Sequence, residues 1–255
     1  MTQLTLTALP NIPLVMRDND LTTIILRGLR DAKIELQDGD VLVLAQKIVS
    51  KAEGRMVRLS DVTPSPEALD LAKRSGKDAR FCEVVLWDTR EVVRVREGLI
   101  IVETKQGWVC ANAGIDKSNV APHIGTEEWV LRLPEDADRS ARELREHLRS
   151  LTEREVGIII NDTHGRAWRN GAIGVAIGVA GLAGVDDLRG QPDLFGYQLQ
   201  VTTIGLADQI ASAASLLQGQ ADEGRPIIHV RGILLNRRDG TAREIVRPKD
   251  QDLFR

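Results

Sequence analysis

Apolar residues fall in short blocks with two different spacings along the chain. Val41 to Ala45 is an unbroken apolar run behind the turn signal Gln37-Asp38-Gly39-Asp40, and its shortness and β-branched content predict a strand. It feeds straight into Gln46-Lys47-Ile48-Val49-Ser50-Lys51-Ala52-Glu53-Gly54-Arg55, a charged segment to which no regular element is assigned. From Ala68 to Arg80, Leu69, Ala72 and Ala79 recur among charges in a helical pattern, and Glu91 to Val102 reads as two strands about a turn at Glu97-Gly98. Another short apolar strand precedes a loop from Ala111 to Pro122. Asp138 to Ser150 predicts an amphipathic surface helix, with Leu144, Leu148 and Leu151 at helical spacing. A strand from Val156 to Ile160 is expected to end at Asn161-Asp162-Thr163, with Gly165 turning the chain into a glycine-rich apolar stretch. In Ile204 to Gln218, Ile204, Ala207, Ile210, Ala214 and Leu217 share one helical face, and Ala211 and Ala213 permit close packing. A last strand, Pro226 to Val230, and a polar tail close the chain. Strands and helices mix without strict βαβ alternation and without an internal repeat, which predicts an α+β fold over a doubly wound sheet.

Composition narrows the classes of function. The 255 residues are enough for one large domain or two modest ones sharing an interface. A formal charge of -3 and only 3% aromatic residues exclude a basic surface studded with stacking rings, so nucleic acid is not the expected ligand. Cys82 and Cys110 are too few for a disulfide framework and have no metal-ligand spacing, which places the chain in a reducing compartment with both thiols buried. The start, MTQLTLTALPNIPLV, lacks the features of a signal peptide. The most apolar stretch, Gly171 to Val185, has 15 residues, a third of them glycine, short of the roughly 20 that cross a bilayer. The expected setting is the cytoplasm, with no membrane partner.

Three segments carry candidate chemistry. Lys47, Lys51 and Arg55 with Gly54 directly after a strand suit phosphates, since lysine supplies a mobile point charge and arginine a bidentate fork; a solvated turn explains the same residues. No Walker A pattern is present, so this is not a P-loop. Gly114-Ile115-Asp116-Lys117-Ser118-Asn119 offers oxygen donors to a hard divalent ion, although the same residues make good turns and caps. Asn161-Asp162-Thr163-His164-Gly165-Arg166-Ala167-Trp168-Arg169 sets a carboxylate and a hydroxyl for Mg²⁺ or Mn²⁺, with two arginines behind them for anionic oxygens; a helix cap is the plainer reading of Asp162 and Thr163. His164 has no second histidine at helical spacing and reads as a bystander or substrate contact. Asp208 reads either as a third carboxylate or as part of a polar helix face. The glycines between 171 and 184 contain no G-x-G-x-x-G and are expected to permit close backbone packing.

In this order, LALPNIP, QKIVSKAEGR, GIDKSN, NDTHGRAWRNG, AIGVAG and LADQIASAASLLQGQ resemble the coenzyme F420-0 gamma-glutamyl ligases, from about Leu9 to Gly232. The resemblance implies a ligase that joins L-glutamate through its amine to a carboxylate of the deazaflavin coenzyme F420-0, consuming GTP with Mg²⁺ or Mn²⁺ and often K⁺. It implies guanine-nucleotide contacts at Leu9, Pro10, Asn11, Ile12, Gln46, Lys51 and Asn119, and metal ligands at Asp116, Asp162 and Thr163. It also implies two intertwined α+β subdomains with mixed and antiparallel sheets, neither Rossmann nor P-loop, in a homodimer. Residues 1–255 then form a single ligase unit with a subdomain boundary near residue 134 and no C-terminal redox domain. Gln46, His164 and Gln209 depart from the usual pattern, and an amide at 209 withdraws a charge from any metal held there. Amide formation from a carboxylate needs a leaving group, so transfer of the γ-phosphoryl group to the coenzyme carboxylate is expected, with Lys51 orienting phosphates and Arg166 and Arg169 clamping the acidic substrates. A ligase of the same fold acting on another acid and amine, and a non-catalytic GTP sensor, fit the same motifs.

Overall fold

The computed structural model describes residues 3–120, 127–233 and 238–253. The chain runs β1 (Thr5–Ala8), α1 (Leu21–Asp31), β2 (Val41–Ala45), α2 (Gln46–Ala52) and β3 (Met56–Arg58), then α3 (Pro66–Ser75), α4 (Ala79–Asp88), β4 (Thr89–Arg96), β5 (Leu99–Thr104), β6 (Val109–Ala111) and β7 (Trp129–Leu131). It continues through α5 (Ala137–Thr152), β8 (Gly157–Arg166), β9 (Arg169–Ala180), β10 (Asp186–Asp187), β11 (Thr203–Ile204), α6 (Leu206–Gln218) and β12 (Ile227–Arg231). Among the described residues the principal sheet has five strands in the order β1-β12-β2-β8-β9, with β2 and β8 parallel and every other pair antiparallel.

Both faces of that sheet are covered, which is why β2 is apolar throughout. Leu42, Leu44, Ile158 and Ile160 pack on one face with α1 and α5, while Val41, Val43 and Ile159 pack on the other against Ala207, Ile210, Ala211 and Ala214 of α6. Between α2 and α5 the chain builds a second lobe with its own core, in which Leu71 of α3 and Phe81 and Val85 of α4 pack against Ile100 and Val102 of β5. The fold is α+β with mixed and antiparallel sheets, as the pattern predicts. Among the described residues no helix is long and apolar enough to cross a membrane.

Several predicted elements shift. Gln46–Ala52 is a helix and not a turn: Ile48 and Val49 are buried in the principal core, and that burial organises a segment whose charges alone suggest a loop. The expected helix from Ala68 to Arg80 is two helices, broken where Gly76 takes the left-handed conformation and Asp78 caps α4 by accepting from the Arg80 and Phe81 N–H groups. The strand expected to stop at Ile160 runs on to Arg166, so Asp162 lies inside β8, two residues beyond the end of a core-facing run and next to a register shift. Of the loop from Ala111 to Pro122, residues 121 and 122 lie outside the described residues.

The glycine-rich stretch is the edge strand β9, and its glycines do admit close packing. A Cβ on Gly178 would lie 2.4 Å from the carbonyl oxygen of Ala137 in α5, and one on Gly174 would lie 2.6 Å from that of Ala211 in α6. The two helices therefore press on opposite faces of one strand at positions where no side chain fits.

Candidate metal and nucleotide site

Strand direction gathers the motifs. β1 and β2 are both antiparallel to β12, and β8 is parallel to β2, so β1, β2 and β8 all end at the same edge of the sheet. Leu9–Ile12 and Gln46–Lys47 follow the ends of β1 and β2, and Asp162–Thr163 lie in β8 just past its last pair with β2, at the edge where ligands commonly bind in open sheets. β12 lies between β1 and β2, which spaces the first segment about 10 Å from the second.

Asp116 arrives from the second lobe. Its backbone exchanges two hydrogen bonds of 2.9 Å with Leu131, and the approach passes through Asn112 and Ala113, both left-handed (φ 52 and 56°). A left-handed alanine is a strained residue, held here by the surrounding packing. The Asp116 carboxylate accepts a short hydrogen bond from Gln46 Nε2 and lies 3.1 Å from Lys47 Nζ. Gln46 is buried and its orientation is set by Ser50, whose hydroxyl donates to Gln46 Oε1 at 2.8 Å. Burial pushes the Asp116 carboxyl above its ordinary value; Lys47 opposes that shift and the neighbouring charge of Asp162 adds to it.

Asp162 is joined by His164, whose Nε2 lies 2.9 Å from Asp162 Oδ2. His164 also faces the charge of Asp208, whose carboxyl is raised by burial while the Ala176 N–H, donating to it at 2.9 Å, and His164 act the other way. Cys110 stands near Asp162, and burial, with the Asp162 charge, pushes its thiol up to about 12, so it offers no thiolate to a metal. Both cysteines are free and buried, as expected.

A buried carboxylate whose ionised form a second carboxylate disfavours further, with amine and amide donors already drawn to it, fits a hard divalent cation. Such an ion typically takes one or two carboxylates and completes its shell with water and substrate phosphates. Among the described residues no group of three or more His, Cys, Asp or Glu forms a closed metal cage. Thr163 pairs with Gly174, on the face of β8 that meets α6, whereas Asp162 pairs with Val175 and points to the opposite face. The structure therefore does not bring the Thr163 side chain to the Asp116–Asp162 pair.

The other expected residues separate into near and far. Lys51 Nζ donates to the Asn119 carbonyl at 2.7 Å, and Asn119 Nδ2 donates to the Ala221 carbonyl at 2.8 Å, so both join the loop that carries Asp116. Burial, with Lys47 alongside, holds the Lys51 ammonium below its ordinary value. Leu9 is a core residue, Ile12 packs on Gly28, and only Pro10 and Asn11 of that segment are exposed; Asn11 donates to Asp31. Arg166 and Arg169 sit at the exposed end of the β8–β9 hairpin, roughly 13 Å along the strand from Asp162, and Arg166 donates to the Gly171 carbonyl. Lys117 lies over the Phe81 ring, 4.8 Å from its centroid. The cation that does reach Asp116 is Lys47, two residues past the end of β2, and its place just after a strand was the available signal.

The profile of the F420-0:gamma-glutamyl ligases matches residues 10–232. The coenzyme F420:L-glutamate ligase of Methanothermobacter thermautotrophicus is 44% identical over 254 residues, covering 99% of each chain. That of Methanopyrus kandleri is 49% identical over 225 residues and 87% of each chain, and that of Archaeoglobus fulgidus is 41% identical over 245 residues, 96% of this chain and 93% of its own. With a family match over residues 10–232 and relatives aligned over most of its length, the chain belongs to the F420-0:gamma-glutamyl ligase family.

Proposed function

We propose that this protein forms an amide between L-glutamate and the carboxylate of coenzyme F420-0, consuming GTP in the presence of Mg²⁺ or Mn²⁺. The observation that carries the reading is the juxtaposition of Asp116 and Asp162 with Lys47 where the parallel pairing of β2 and β8 stops, in a chain of this family. A divalent ion held by Asp116 and Asp162 would supply charge neutralisation to the phosphates of the nucleotide. Lys47 and Lys51, on one short helix, are placed to hold phosphate oxygens, and burial with the nearby Lys47 charge lowers the Lys51 ammonium, which has no carboxylate partner among the described residues. Gln46 is a positioning residue that fixes the Asp116 carboxylate.

The chemistry balances in two steps. A carboxylate oxygen of the coenzyme attacks the γ-phosphorus and GDP leaves, giving an acyl phosphate. The glutamate amine then attacks the acyl carbon, the C–O bond to phosphate breaks, phosphate leaves with the bonding pair and the nitrogen gives up a proton. The direct test is mass spectrometry of coenzyme F420-0 incubated with the protein, L-glutamate, GTP and Mn²⁺, with and without K⁺, and with ATP, folate and peptide acceptors as alternatives. Mass gains in glutamate steps that need GTP and the deazaflavin support the reading; gains on another acceptor alone assign a different acid and amine pair.

We also propose a homodimer. Residues 188–202 form a two-stranded arm beyond β10 and β11, closed by Leu188–Thr202 and Gly190–Leu199 hydrogen bonds, and its tip leaves Leu194 97%, Phe195 96% and Tyr197 61% exposed. An ordered arm with such a tip fits a surface that a second copy covers.

A further inference from the structure

Beside the carboxylate pair, two cavities join into one groove. The first, about 290 Å³, is lined by His164 and Asp208 and, on the way out, by Gly107, Val246 and Arg247; Asp252 also lines it. The second, about 260 Å³, shares Gly107, Val246 and Arg247 and continues to Arg90, Arg243 and Lys249. Two of these cations are already matched, Arg90 by Glu103 at 2.8 Å and Lys249 by Glu91. The side chains of Arg243 and Arg247 make no ion pair or hydrogen bond within the described residues, so the outer groove holds two uncompensated guanidinium groups in a chain whose formal charge is -3. Arg166 and Arg169, the arginines that the sequence offers as clamps, are on the hairpin tip instead.

We propose that this groove seats the amino-acid co-substrate, an acidic α-amino acid, with its ammonium at Asp208 and its two carboxylates at Arg247 and Arg243. The signs run in the right order. The acidic end adjoins Asp162 through His164, where the acceptor carboxylate reacts in the function proposed above, on which this inference rests. An amine delivered there trails its carboxylates outward, and arginine forks match carboxylates bidentately. A neutral amino acid has one carboxylate and leaves one arginine unmatched, so the pair selects for an acidic one.

Steady-state kinetics of Arg247→Gln, Arg243→Gln and Arg247→Lys, followed by mass spectrometry, test the assignment together with equilibrium dialysis of radiolabelled L-glutamate. Each glutamine variant should raise the KM for glutamate about tenfold or more while the KM values for GTP and coenzyme stay within about twofold, and the lysine variant should recover part of the loss. The double glutamine variant should lose its preference for glutamate over glutamine. An unmoved glutamate KM overturns the proposal, as does a rise confined to the coenzyme KM, which gives the groove to the acceptor. If the wild-type protein makes no product, the ligase reading fails separately, and dialysis still decides: glutamate bound by the wild type and lost in the double variant supports the groove, and no binding by the wild type overturns it.

Discussion

At Asp116 two demands oppose each other: a carboxylate suited to a divalent ion must be kept charged, yet burial and the charge of Asp162 both disfavour its ionised form. Asp116→Asn should therefore cut ligation on the order of a thousand-fold, the several kcal/mol that a lost metal position costs a phosphoryl transfer. In the metal-free protein the same change should leave Tm unchanged or raise it, and calorimetry beside the activity assay checks both halves. Asp40 is the opposite case. Its side chain is 2% exposed, far from the candidate site at the other end of β2, and receives two bonds from Arg231 at 2.8 and 2.7 Å, with His229 Nε2 at 2.9 Å but off hydrogen-bond angle. Burial alone would raise its carboxyl, but Arg231, His229 and the Gln37 N–H outweigh it and hold the group well below its ordinary 3.8. Because the folded value lies below the unfolded one, its contribution is fully present above pH 3.8 and is lost as pH falls through the folded value. Asp40→Asn should cost about 3–5 kcal/mol at pH 7, since it leaves Arg231 without its counter-charge. Urea melts across pH should show that deficit constant from pH 7 to near 4 and closing only below; a deficit that closes at higher pH would contradict the assignment.

The elements owe their positions to backbone contacts as much as to apolar area. Gly178→Ala should destabilise by about 1–3 kcal/mol, because a methyl group 2.4 Å from the Ala137 carbonyl must push α5 off β9. Gly165→Ala, which meets nothing within 4 Å, should stay within about 0.5 kcal/mol, and denaturant midpoints of the two variants make the comparison. The elements with a clean period were legible in the sequence: β2, β4, β5, α5, α6 and β12 lie close to where their patterns put them. α1 was not read, although Asp20 caps it and Ile24, Ile25 and Leu29 have helical spacing. α2 was not read as a helix because local charge masks two buried apolar residues, and β8 was cut short because the polar Asn161-Asp162-Thr163 run looks like a turn until β9 pairs with it. Pairing of that kind is a non-local fact.

For the whole molecule, the arm tip is an apolar patch that the described residues of the single chain leave exposed. Leu194→Glu with Phe195→Glu should shift sedimentation from dimer to monomer, because charges at a buried apolar anchor are poorly tolerated. A wild-type protein that sediments as a monomer, or a variant that stays dimeric, removes the arm as the interface. Amino-acid order alone determined the α+β class, the strands and helices of clean period, the buried thiols and the blocks that mark the family, because these depend on local period and residue chemistry. Only the tertiary structure decided which candidates meet. Asp116 reaches Asp162 because a bridge to Leu131 carries a loop of the second lobe to the sheet edge, and Lys47 joins them because β2 ends beside β8. Arg166 and Arg169 recede because a strand of fixed rise extends them away from Asp162, although they are near it in sequence. Spacing along a chain records neither strand direction nor which ends of a sheet coincide, and a site assembled across two lobes depends on both.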